Sequence, residues 1–267
     1  MDALRLGPIV LPWAPLLLVL GYAVAVWVAA LAQKAGRGNA EPALLPLLVL
    51  ALVAARAVFV LRHVADYSSV LQMIDIRDRG FDPLAGWLAA VAGVGFWAWR
   101  RPGLRRSLPL AAASGAAIVL ACMGLLSLLA PPRPPLPGIT LQSLNGPPLA
   151  LARLRGQPLV VNLWATWCPP CRRELPMLIR AAQQQTGARI VLINEGEAAQ
   201  RVAAFLQREQ LGKPEVLLDP GSRLLAHYQS PGLPTTLFVA ADGTVRRVLI
   251  GELSAATLQQ GIAALRK

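Results

Sequence analysis

The sequence predicts two halves of different fold class: a multi-pass α-helical membrane domain of four spans, then an α/β domain of alternating strands and helices. Three observations carry that prediction. Hydrophobic residues make up 55% of the 267 and charged residues only 15%, against about 25% charge in ordinary soluble chains. The mean hydropathy is +0.50. The apolar excess lies before residue 130, and beyond it short β-branched runs take turns with amphipathic patterns, the mark of an α/β domain. At about 150 residues per domain the length gives two domains, each able to bury a core. With 22 glycines and 23 prolines the chain stays below the roughly 25% of low-complexity sequence. Three cysteines exclude a disulfide-stapled scaffold, and the Cys168-x-x-Cys171 spacing reads as redox or metal chemistry.

Four apolar runs stand out before residue 130: Pro8 to Ala32, Leu44 to Leu61, Leu84 to Trp99 and Leu108 to Ala130. A spanning helix needs about 20 apolar residues, which the third run reaches only if it begins near Phe81. The expected spans are therefore 8–32, 44–61, 81–99 and 108–130, within a membrane domain 1–130. Lys34 and Arg37 flank the first span, and Arg100, Arg101, Arg105 and Arg106 follow the third. The positive-inside bias assigns both connections to the cytoplasm. The 62–83 connection is nearly balanced, with Arg62, Arg77 and Arg79 against Asp66, Asp75, Asp78 and Asp82, and belongs outside. The reading is thus an inner (cytoplasmic) membrane protein with its N-terminus and everything beyond residue 130 on the periplasmic side. A cleaved signal peptide ending near Ala29 to Ala32 is the competing reading of the first run, but that run is longer than an ordinary signal core and Asp2 sits where a leader would be positive.

The net charge of +12 raises nucleic acid as a partner, and its distribution argues against one. Eleven Lys/Arg face six Asp/Glu up to residue 130, and fifteen face eight beyond it, so the surplus is spread. No segment interleaves basic and aromatic residues as a nucleic-acid surface does. Inside the second span Arg56 is costly: its readings are snorkelling, an internal partner, or a membrane lipid headgroup. Cys122, alone in the fourth span, reads as a small buried hydrophobe. The order of features here resembles the N-terminal portion of prolipoprotein diacylglyceryl transferase, through Gly21-Tyr22 and Ala55-Arg56-Ala57-Val58-Phe59-Val60-Leu61. That family's His-Gly-Gly stretch would fall near Phe81-Asp82-Pro83, which holds no histidine, and its later spans are absent, so no catalytic residue carries over.

Residues 131–138 hold five prolines and predict an extended, stiff linker. In the domain 139–267, strands are expected at 159–165, 189–194, 215–218, 235–240 and 244–250, with helices at 169–185, 197–210, 222–227 and 255–265. Asp242-Gly243 predicts the last hairpin. Cys168 falls where a buried strand turns into a helix. A thiol there feels the helix dipole and free N–H groups, which favour the thiolate, so Cys168 is the expected nucleophile. Cys171, one turn on, can close an intramolecular disulfide and release a mixed-disulfide partner. A structural zinc needs about four ligands, yet the third cysteine is in a span and the two histidines, His63 and His227, lie in different halves. No metal and no cofactor beyond the Cys168–Cys171 disulfide is therefore expected; an inert disulfide is the remaining alternative.

Residues 156–250, and more loosely 139–267, resemble the TlpA/ResA branch of membrane-tethered thioredoxin-like proteins. The matching stretches are Val161 to Cys171, Glu174-Leu175-Pro176, Leu218-Asp219-Pro220-Gly221, Tyr228 and Gly232-Leu233-Pro234-Thr235-Thr236. The resemblance implies a thioredoxin-like fold with a cis Leu233-Pro234 bond beside the disulfide, presenting the Leu233 backbone to a substrate strand. It implies that Glu174 lies near the thiols, where it is expected to handle the Cys171 proton, and Trp167 is expected to shield the disulfide and pack against partners. Thioredoxin itself keeps a buried aspartate six residues before its first cysteine; here that position is Asn162. The implied activity is thiol-disulfide exchange, in the reducing direction on disulfide-containing substrate proteins such as apocytochromes or copper-site proteins. An oxidase or isomerase of the same fold is the alternative direction. Because the spans hold only Cys122, a reductase of this kind needs a separate membrane electron donor of the DsbD/CcdA type. A lipid-binding or lipid-modifying membrane protein, with the α/β domain as a partner-binding module, is the rival from another class.

Overall fold

The computed structural model describes residues 3–6, 9–67, 69–130, 132–184 and 187–265. Pro8, Pro131, Gln185 and Lys267, at which the first span, the linker, a helix and the last domain were bounded, lie outside the described residues. The chain forms two compact units, one from Ala3–Val64 with Gly80–Pro131, the other from Ala65–Arg79 with Pro132–Lys267.

In the first unit, β1 (Ala3–Leu6) and β2 (Ile9–Pro12) pair antiparallel. They precede helices α1 (Trp13–Lys34) and α2 (Glu41–Arg62). The expected span 8–32 is corrected here: Ile9 and Val10 are β-branched and enter a strand, and the helix starts only at Trp13. A short helix α3 (Val70–Ile74) in the other unit separates α2 from α4 (Pro83–Arg100), and α5 (Ser107–Leu129) follows. Among the described residues three helical segments are long and apolar enough to cross a membrane: Trp13–Lys34, Glu41–Arg62 and Pro102–Leu129. Helix α4 has 18 residues and ends in Arg100, so it falls short of the other three. Helices α1 and α5 touch through glycine. A Cβ on Gly115 would lie 2.5 Å from the Gly21 carbonyl oxygen, and such small-residue contacts let two backbones approach. Arg56 has partners within its own unit: its Nη1 donates to the Gly80 carbonyl at 2.7 Å, and its guanidinium lies 5.9 Å from the Phe59 and Phe81 ring centres. Arg62 pairs with Asp82, whose other oxygen caps α4 at Ala85.

In the second unit the elements are β3 (Thr140–Ser143), β4 (Leu149–Ala150), β5 (Leu159–Trp164), α6 (Pro169–Gln183), β6 (Arg189–Glu195), α7 (Ala199–Arg208), β7 (Val216–Asp219), α8 (Arg223–His227), β8 (Thr235–Val239), β9 (Val245–Ile250) and α9 (Ala255–Ala264). The described strands form one sheet in the order β4-β3-β7-β6-β5-β8-β9. β5 pairs parallel with β6, and β6 with β7, while β8 and β9 run antiparallel. Alternation along β5 decides which side each residue serves. Val160 and Trp164 join the core under α6, α7 and α9, with Leu175, Phe205 and Ile262. Leu159, Val161 and Leu163 join the opposite core, with Leu136, Leu151 and Leu224. Asn162 therefore points toward α6, a polar interruption in an apolar face.

The proline-rich stretch, expected as an extended and stiff linker, makes specific contacts with the α/β unit. Leu136, placed among prolines, is only 1% exposed and is an anchor in the second core. Its N–H donates to the Gly243 carbonyl at 3.1 Å, and its own carbonyl accepts from Arg155 Nη2 at 2.9 Å. Arg133 donates to the Arg246 carbonyl, so from Arg133 onward the stretch is bound to the α/β unit. An extended proline-rich backbone makes no internal hydrogen bonds, which leaves these groups free to stitch the segment down.

Candidate active site

The dithiol sits where β5 ends. The turn Ala165-Thr166-Trp167 carries the chain from the sheet into α6, with Cys168 as N-cap and Pro169 in the first helical position. Proline there costs no hydrogen bond, since that N–H has no helical partner. Cys168 and Cys171 are joined as a disulfide with Cα atoms 5.3 Å apart. The Cys171 N–H donates to Cys168 Sγ at 3.3 Å. Both are buried, at 2% and 0% exposure, whereas Trp167 beside them is 65% exposed. Trp167 thus presents an exposed indole beside two buried sulfurs.

Glu174 lies one turn beyond Cys171 and is 3% exposed. Its Oε1 accepts from Asn162 Nδ2 at 2.8 Å and its Oε2 from the Leu253 N–H at 2.8 Å. Asn162 Nδ2 also donates to Thr236 Oγ1 at 3.0 Å. Asn162 and Glu174 thus meet in one buried contact between β5 and the dithiol helix. Burial pushes the Glu174 carboxyl up to about 8, against the pull of the Asn162 and Leu253 hydrogen bonds, with Glu252 adding to the rise and Arg173 opposing it. A carboxyl in that range can take or give a proton near neutral pH.

The Leu233-Pro234 bond is cis. Leu233 packs against both cores, including the one that contains Cys168 and Cys171, and Pro234 is buried. The loop is held by Thr235 Oγ1, which donates to the Gly232 carbonyl at 2.7 Å, and by Gly251 N–H, which donates to the Pro234 carbonyl at 2.9 Å.

Sequence reading passed over Glu197. Its carboxylate accepts from the Thr166 N–H at 2.7 Å, the Thr166 hydroxyl at 2.6 Å and Asn194 Nδ2 at 2.8 Å, so it clamps the turn that presents Trp167 and Cys168. The available signal was Asn194-Glu195-Gly196-Glu197, two acids at the mouth of an apolar strand. Glu195 is a different case. It is 2% exposed, and burial, with the Asp219 carboxylate next, pushes it up to about 8. By the alternation of β6 it faces the core opposite the dithiol. His227 and Tyr228 lie against the Pro135 carbonyl.

A strand-turn-helix bearing a buried CxxC pair, beside a cis proline, defines a thioredoxin-like dithiol protein. The model of the AhpC/TSA family matches residues 132–248. Thiol-disulfide oxidoreductase ResA of Geobacillus thermodenitrificans (strain NG80-2) is 30% identical over 132 residues, 49% of this chain and 75% of that one. ResA of Bacillus subtilis (strain 168) is 32% identical over 120 residues, 44% of this chain and 66% of that one. A secreted Mycobacterium tuberculosis disulfide oxidoreductase homologous to E. coli DsbE, solved as a crystal structure, is 29% identical with a TM-score of 0.43, covering 48% of this chain and 96% of that one. Through its C-terminal half this chain belongs to the ResA family of thiol-disulfide oxidoreductases, and its substrates are disulfide-containing proteins.

Proposed function

We propose that the chain is a membrane-tethered disulfide reductase of the inner membrane, acting on the periplasmic side through Cys168 and Cys171. The carrying observation is the placement of Cys168 Sγ at the N-cap of α6 with the Cys171 N–H aimed at it, because that position favours a thiolate. In the reduced protein the Cys168 thiolate attacks one sulfur of a substrate disulfide, forming a mixed disulfide and releasing one substrate thiolate. Glu174 accepts the Cys171 proton. The Cys171 thiolate then attacks Cys168 sulfur, closing the Cys168–Cys171 disulfide and releasing the second substrate thiol. Two electrons pass to the substrate; one proton comes from Cys171 through Glu174, and the other substrate thiolate takes its proton from solvent. Trp167 and the Leu233 backbone beside Pro234 form the substrate-binding surface. The chemistry asks for no metal or cofactor beyond the disulfide itself.

The four-span topology belongs to the same reading. Helix α4 crosses with the others and places the arginine cluster 100–106 in the cytoplasm, with membrane lipid as the solvent of all four helices. The membership of residues 65–79 in the α/β unit supports an external position for both. Re-reduction comes from a separate membrane dithiol donor of the DsbD/CcdA type. Acid-quenched thiol trapping in intact cells tests the reading: a mostly reduced Cys168–Cys171 pair supports a fed reductase, and a mostly oxidised pair overturns the direction in favour of an oxidase. Loss of exchange in Cys168→Ser, with Cys122→Ser unaffected, tests the assignment of the nucleophile.

A further inference from the structure

The segment Ala65–Arg79 packs in the same unit as the dithiol helix, and one of its side chains reaches the support of Glu174. Asp78 is 7% exposed. Its Oδ2 accepts from the Tyr67 hydroxyl at 3.0 Å and from Ser254 Oγ at 2.9 Å. Ser254 is the N-cap of α9, bonded reciprocally with Thr257. One residue before it, the Leu253 N–H makes the 2.8 Å bond to Glu174 Oε2. Asp78 therefore anchors the short stretch whose backbone holds the Glu174 carboxylate. A groove of about 420 Å³ runs between the two, with Tyr67 and Asp78 on one wall and Glu174, Met177 and Leu253 on the other.

We infer that Asp78 is a positioning residue for the dithiol: by holding Ser254 it fixes the Leu253 N–H on Glu174, and so sets the pH at which thiol exchange turns on. The inference rests on the reading that Glu174 handles the Cys171 proton. The charged groups facing the groove from each element are Asp66, Asp75, Arg77 and Asp78, Arg173 and Arg180 of α6, and Glu252. Arg77 is paired with Asp75 and Arg173 with Glu252, so the adjustable influence on Glu174 is the hydrogen bond. That bond stabilises the ionised carboxylate; when it loosens, the proton is held more tightly and exchange turns on at higher pH.

The test is the pH profile of exchange with a small aromatic disulfide, measured on the full chain in detergent micelles. Asp78→Ala and Ser254→Ala are expected to move the inflection upward by about one pH unit, the size of one charge-assisted hydrogen bond. Asp78→Asn, which keeps an acceptor oxygen for Ser254, is expected to return it to the wild-type pH. A shift in the alanine variants without rescue by asparagine, or no shift in either alanine variant, overturns the inference. Glu174→Gln separates the two levels. If it abolishes the inflection while Asp78→Ala leaves it in place, only the role of Asp78 falls; if the inflection survives Glu174→Gln, the reading of Glu174 falls as well.

Discussion

Glu174 and Glu195 are buried acids on opposite sides of one sheet, and burial raises both to about 8. Glu174, on α6, faces the sheet, takes two hydrogen bonds and stands one helical turn from Cys171. Glu195 faces the other core, in register with Asp219 on β7, with the sheet between it and the dithiol helix. Equal upward shifts thus come from equal causes, desolvation above all, and do not by themselves mark a catalytic group. The neighbours distinguish the two.

The largest effect should separate the two acids in activity. Glu174→Gln is expected to slow exchange at neutral pH about a hundredfold, the low end for a lost general acid or base, whereas Glu195→Gln should stay within about twofold. Rates that fall alike in stopped-flow assays would erase the distinction. The acids should behave alike in stability. Each carboxyl holds its proton more tightly folded than unfolded, so its contribution is fully present below about 4.5 and is lost as pH rises toward 8. The expected loss is on the order of a few kcal/mol for each, and each glutamine variant should remove its own share. Hydrogen exchange of the β5 and β6 amides across that window reads it.

A third variant tests a carboxylate that is satisfied from three sides. Glu197→Ala strands the Thr166 N–H, the Thr166 hydroxyl and the Asn194 amide and should cost about 2 kcal/mol, seen as a lower denaturant midpoint of the α/β unit. The smallest effect belongs to Arg223, whose half-exposed side chain pairs with buried Asp219. Arg223→Ala should change stability by less than about 1 kcal/mol while moving the Glu195 midpoint upward, because that cation favours the ionised form.

The α/β half was legible wherever local chemistry decides structure. β5, α6, β6 and the β8–β9 hairpin fall where apolar runs, the CxxC turn and Asp242-Gly243 placed them, within a residue or two. β3 and β4 were missed because Leu141, Leu149 and their neighbours form runs of two to four residues, too short for a period to show. β2 was absorbed into the first apolar run, since hydropathy alone does not separate a strand from the start of a span, and β1, which lies before that run, was not assigned. At the site the two cysteines announce themselves by spacing, while Glu174 was reached through the family resemblance. Glu197 does not, because its partner Thr166 lies 31 residues away, and the Asp78–Ser254 contact bridges 176 residues. Only folding brings such pairs together.

The chain has three cysteines, and one disulfide accounts for two of them while Cys122 sits apart in α5. Kinetically this makes the protein a carrier with a capacity of one. It holds a single pair of electrons or none, and cannot engage a second substrate until the first pair has been replaced. On the proposed mechanism, donor and substrate therefore alternate at the same sulfur, Cys168, each excluding the other while bound. Double-reciprocal plots at fixed donor levels should run parallel, and raising either reactant in excess should slow turnover by occupying the form meant for the other.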